Sequence, residues 1–209
     1  MSEFPPATTS PKEFMEGWLP KAIAEAGMPD NAKTADVKLG IRLEGDGGGD
    51  WVFHLDHGNV TVQPCSTEEC AFTLIQSVTD WRGALWEGRG GAFGKQASGL
   101  FRPGAQQGAS GGAGPGGRPM DPAALGKLQT LKGMIRMVVA GGPGGDWKTN
   151  FKLGPGPIPT EPTTTVSISA DDAAAMERGE LDPMQAFMGG RIQIAGDMAL
   201  MMQMQAAMM

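Results

Sequence analysis

Residues 163–209 read TTTVSISADDAAAMERGELDPMQAFMGGRIQIAGDMALMMQMQAAMM, and the order of signals in them decides the fold. Thr165 to Ile168 has the β-branched, alternating character of a strand. Ser169 is placed to cap the helix that follows, Asp171 to Arg178, with Asp172 three residues on to bond back and to meet the positive helix start. Pro183 suits the first turn of a second helix, and Gly189-Gly190 suits its end. In Arg191 to Ile194 apolar and polar residues alternate, so Ile192 and Ile194 point to one face of a short strand. Gly196-Asp197-Met198 then opens a terminal helix from Asp197 to Met209.

That terminal helix is apolar nearly all round, broken only by Gln203 and Gln205. Such a helix must be covered, must oligomerise or must face a ligand. Nine of the chain's 15 methionines lie from Met176 onward. Methionine is unbranched and polarizable, so it forms walls that repack around guests of different shape. A ligand-facing lid, an ordinary core helix and a dimer contact all satisfy the pattern.

Taken together, GELDPMQAFMGGRIQIAGDM (Gly179 to Met198) resembles the C-terminal half of the sterol carrier protein type 2 (SCP2) family of lipid-binding domains. The resemblance implies an α/β (α+β) architecture: a mainly antiparallel, five-stranded sheet covered by helices. It also implies non-enzymatic binding, and intracellular transfer, of a sterol, fatty acid or acyl-CoA in a hydrophobic tunnel. On this reading Val166, Ile168, Phe187, Met188, Ile192 and Ile194 line the sheet and helix walls together with Met176. Met198, Met201 and Met202 form the movable side. The competing reading is a structural or dimerisation module that uses the Met-rich helix as its interface.

The chain echoes itself. Gly45-Asp46-Gly47-Gly48-Gly49-Asp50-Trp51 parallels Gly141-Gly142-Pro143-Gly144-Gly145-Asp146-Trp147, each between two strand patterns. Ala71-Phe72-Thr73-Leu74 parallels Thr163 to Val166, and Thr79 to Gly88 has the layout of Ala170 to Gly179. Between the echoes, residues 103–119 are almost wholly Gly, Ala, Pro, Ser and Gln, a linker composition. The expected organisation is two tandem SCP2-like modules, residues 10–102 and 120–209, joined by that linker. The first has a longer leading helix, Pro11 to Gly27, with Phe14, Trp18, Leu19, Ala22 and Ile23 on one face. It lacks a counterpart of the LDPMQAF segment and of the terminal helix, so it is the degenerate copy.

Other function classes find little support. A net charge of -6 with no basic cluster argues against nucleic acid. The N-terminal 30 residues lack a secretory pattern, no stretch reaches the roughly 20 apolar residues of a membrane span, and the end is not a Ser-Lys-Leu address. A cytoplasmic protein making at most transient membrane contact is expected. The Gly-rich turns feed strands rather than helices, so they read as hairpins and not phosphate loops. His54, His57, Cys65 and Cys70 lack zinc-site spacing, and a Cys65–Cys70 disulfide is disfavoured in a reducing compartment. No nucleophile elbow is present and there is no Tyr at all. Asp171-Asp172 reads as helix-start charge. Neither a catalytic residue, a metal site nor a cofactor is expected.

Overall fold

A computed structural model describes residues 3–27, 33–102 and 127–207. The proposed linker, residues 103–119, lies outside the described residues. In chain order a π-helical turn, Glu13–Trp18, runs into α1 (Leu19–Ala26). Then come β1 (Asp36–Glu44), β2 (Gly49–Asp56), β3 (Asn59–Pro64), β4 (Phe72–Ser77), α2 (Val78–Trp86) and α3 (Gly91–Gly99). A 3-10 turn, Leu128–Thr130, precedes β5 (Gly133–Ala140), β6 (Trp147–Leu153), β7 (Thr164–Ser169), α4 (Ala170–Glu177), α5 (Pro183–Met188), β8 (Gln193–Gly196) and α6 (Met198–Ala207).

The eight strands among the described residues join one sheet, in the order β3-β2-β1-β4-β6-β5-β7-β8. This corrects the expectation of a five-stranded sheet. Five of the seven pairings are antiparallel, and β1–β4 and β5–β7 are parallel. The enlargement has a physical cause. A strand edge left bare is a row of unpaired backbone donors and acceptors. Here β4 pairs β6 antiparallel, Phe72 opposite Leu153 through Ile75 opposite Asn150, so the edge of each half closes the edge of the other.

Around that seam the halves repeat one arrangement. β1 pairs β2 antiparallel and β4 parallel; β5 pairs β6 antiparallel and β7 parallel. Both parallel strands end on a serine that caps the next helix: Ser77 accepts from the Asp80 amide and Ser169 from the Asp172 amide. The halves then differ. β2 continues through a two-residue turn into β3, with positive φ at both His57 and Gly58 as such hairpins require. β6 continues only into a loop.

One face of the sheet carries the helices and the core. Phe14, Leu19, Ile41, Leu43, Trp51, Leu74, Trp81, Ile135, Val166 and Leu200 are buried in one cluster. The first half is filled by aromatic rings: Phe14 meets Phe4, Trp18, Trp81, Trp86 and Phe101 at centroid separations of 4.9–6.2 Å. The opposite face is polar, with Arg42 gripping Asp50 through both carboxylate oxygens and Arg136 donating to Asn150. Over the middle of that face lies the loop after β3, where Thr67 rests on Gly40; a Cβ at Gly40 would sit 2.8 Å from Thr67 Cβ.

Candidate functional site

The elements read from the C-terminal sequence form in order, with edges moved by a residue or two. α4 starts at Ala170 behind its Ser169 cap, and Ser169 also donates to Asp172, completing the reciprocal bonding of its first turn. Asp182 caps α5, accepting from Met184 and Gln185. Pro183 occupies its first position. The last strand runs Gln193–Gly196 rather than Arg191 to Ile194. Asp197 caps α6 by accepting from Ala199 and Leu200, and its own carbonyl accepts from the Thr164 hydroxyl at 2.7 Å. The base of α6 is thus fastened beside β7 through the Asp197 backbone, whose carbonyl accepts from the Thr164 hydroxyl and whose amide donates to the Thr163 carbonyl.

α6 has two unlike faces despite its apolar sequence. Leu200 is 4% exposed and belongs to the main core, with Met201 and Met204 packed against the same cluster. Met198 and Met202 lie outward. Room for Leu200 is made by Gly133, where a Cβ would lie 2.7 Å from Leu200 Cδ2.

The ten residues expected to hold a ligand therefore fall into three groups. Val166 belongs to the main core, and Ile194 and, from α6 itself, Met201 pack against it. Ile168 and Met176 belong to a second cluster with Val139, Trp147 and Ala173, and Ile192 packs against both. Phe187, Met188, Met198 and Met202 face out, Met188 at 81% exposure. With Met184 they are the exposed large hydrophobic side chains among the described residues, and all five sit on α5 and α6.

Two concavities lie elsewhere. A cleft of about 140 Å³ runs between the halves, lined by Gly90, Gly91, Val139, Trp147, Ala170 and Ala174. Its walls are held by Arg89, which donates to the carbonyls of Gly144, Gly145 and Asp146 and lies 3.7 Å from Asp80. The Trp147 indole donates to the Asp80 carbonyl at 2.9 Å. A second cleft, about 260 Å³, opens on the polar face beside Lys38, His54, Cys65, Glu69 and Cys70. Both cysteines are free thiols, and among the described residues no group of three or more His, Cys, Asp or Glu side chains could hold a metal ion. His54 pairs with Asp36 and His57 with Asp56.

With this geometry in place, the comparisons bear on it directly. Residues 117–209 match the model of the SCP-2 sterol transfer family. That segment contains β5 to α6, the half that carries the exposed methionines. Hydroxysteroid dehydrogenase-like protein 2 of Xenopus tropicalis is 31% identical over 83 residues, which are 37% of this chain and 20% of that protein. Sterol carrier protein 2 of Rattus norvegicus is 29% identical over 86 residues, 38% of this chain and 16% of its own. The chain thus spans about a fifth of the length of these relatives. The solution structure of the sterol carrier protein domain 2 of Helicoverpa armigera is 25% identical, covers 39% of this chain and 72% of its own, and superposes with a TM-score of 0.28. No helix among the described residues is long and apolar enough to cross a membrane.

Sequence reasoning missed the cap at Ser77, the seam between β4 and β6, and the cleft beside it. The Ser77 signal was present, as a serine three residues before Asp80. The seam had none, because strand pairing over 75 residues leaves no local pattern.

Proposed function

We propose that the chain is a non-enzymatic lipid-binding protein that takes one small hydrophobic ligand, a sterol, fatty acid or acyl-CoA, between the sheet and α6 and hands it on. The observation that carries the reading is the match of residues 117–209 to the SCP-2 sterol transfer family, falling on the half whose apolar side chains are left in solvent. Val166, Ile192, Ile194 and Met201 form the inner wall. Phe187, Met188, Met198 and Met202 mark the mouth. α6 stays tied at Asp197 while its distal turns, resting on Leu200, Met201 and Met204, lift to admit the ligand.

The energy is sufficient without a charged contact. Each buried methylene contributes about 0.8 kcal/mol, so ten give roughly 8 kcal/mol before ordering costs, a gross value matching about micromolar affinity. The aromatic filling of the first half leaves it as a packing partner, and the repeated strand pairings around the seam support the tandem organisation, residues 10–102 and 120–209, that the sequence echoes suggest. Purified full-length protein titrated with a fluorescent fatty acid and a fluorescent sterol tests the reading: saturable one-to-one binding supports it, and none refutes it.

A second reading rests on the same exposed group, Met184, Phe187, Met188, Met198 and Met202. Apolar side chains gathered this way also suit an interface with a second copy. Concentration-dependent dimerisation that Met188→Glu abolishes, with no lipid bound, would favour it.

A further inference from the structure

The helix-bearing face is apolar along most of its rows, but one row crosses the seam with two polar residues in it. Leu43 stands opposite Gln76, Met137 opposite both Thr149 and Val166, and Val166 opposite Ile194. Ile75 opposite Asn150 makes Gln76 and Thr149 the next pair across the seam. The row therefore runs Leu43, Gln76, Thr149, Met137, Val166, Ile194. Gln76 is 3% exposed and Thr149 1%. Yet among the described residues Gln76 Nε2 and Thr149 Oγ1 have no hydrogen-bond partner.

Two such groups are unusual together. A buried polar atom left unpaired costs on the order of 1–3 kcal/mol, and nearly all of them find partners. Residues directly opposite in an antiparallel pair have Cβ atoms about 4.5–5.5 Å apart, close enough for one oxygen to bond to both. The amide donates; the hydroxyl donates or accepts. Along the same row, Thr149 to Ile194 is three strand spacings, roughly 14–15 Å, and every residue after Thr149 is apolar. That stretch ends under α6.

Resting on the lipid-binding reading above, we propose that Gln76 and Thr149 form the polar anchor of the ligand site, and that the ligand is an amphiphile with a single neutral hydroxyl head lying across the strands, its hydrocarbon directed along Met137, Val166 and Ile194. The head sits at the junction of the two halves, so the first half supplies half of the anchor. An ionised head is disfavoured there: a buried charge needs a countercharge, and the side chains that flank the pair along their strands, Lys148 and Asn150 on β6, project to the opposite face. Arg89, a cation on the helix side near the seam, is engaged with three carbonyls and Asp80.

The test uses full-length protein with 1-dodecanol, dodecane and lauroyl-CoA competing against a bound fluorescent hydrocarbon. Wild type should prefer dodecanol to dodecane about tenfold, the worth of one well-made buried hydrogen bond, and should not gain from the CoA head. Gln76→Leu with Thr149→Val should bind dodecanol and dodecane alike, while Thr149→Ser retains the preference. The apolar double variant should melt no lower than wild type without ligand, since it removes two unpaired groups. A preference that survives in the double variant, or equal binding of alcohol and alkane by wild type, overturns the anchor while leaving lipid binding intact. Failure of wild type to bind any of the three overturns the lipid-binding reading itself.

Discussion

Gly133 has φ +144°, and a Cβ there would approach both Leu200 Cδ2 and Thr163 Oγ1 within 3 Å. Gly133→Ala should loosen α6 at a cost of about 1–3 kcal/mol, read as a lower melting temperature; an unchanged melt would mean that Leu200 is not seated there. Cysteine chemistry separates the two thiols. Burial pushes the Cys70 thiol up to about 11, with nearby Lys152 and Lys38 opposing the rise, while Cys65 is exposed. At pH 8 a thiol reagent should label one cysteine fast and the other slowly, and equal rates would contradict this placement. The Asp172 carboxyl is held below its ordinary range first by the Ser169 hydroxyl and then by Arg191. A depressed carboxylate stabilises above its unfolded value and loses that contribution as pH falls through the folded one. Ser169→Ala should therefore raise the Asp172 titration midpoint seen by NMR, and an unmoved midpoint would sink the assignment. At this scale the sequence was informative, because a cap, a first-turn Pro and a closing Gly act within four residues of themselves.

α6 shows what patterning alone leaves open. Its apolar sequence does not say which side is covered, and the answer, Leu200 with Met201 and Met204 inward, comes from β5, where Gly133 vacates the space. β8 begins two residues later than its alternation suggests, since Ile192 is held outside the strand by the amide bonds of Arg191 and Ile192 to the Ala186 carbonyl. Truncation after Gly196 should leave the far-UV circular dichroism of the sheet in place while abolishing lipid binding; retained affinity would show that α6 is no part of the site.

Across the whole molecule the seam governs behaviour. β4 and β6 close each other's edges, the Phe72 and Phe151 rings stack at 5.5 Å, and Arg89 of one half holds the hairpin turn of the other. Residues 120–209 alone should expose the β6 edge and self-associate, and residues 1–102 added in trans should return them to a one-to-one complex; a monomeric, folded fragment would contradict the shared sheet. The paired Gly-Asp-Trp turns and strand patterns suggest a repeat, and each half pairs its strands in the same antiparallel and parallel way. The fusion of the halves into one sheet was not legible in the sequence, because a pairing between residues 72–75 and 150–153 depends on edges that exist only once each half has formed. The most direct measurement is titration of the full chain and of Met201→Glu with a fluorescent sterol. The account predicts saturable one-to-one binding by the wild type that the buried carboxylate removes without unfolding the sheet. Equal binding by both proteins, or none by the wild type, would contradict a ligand held beneath α6.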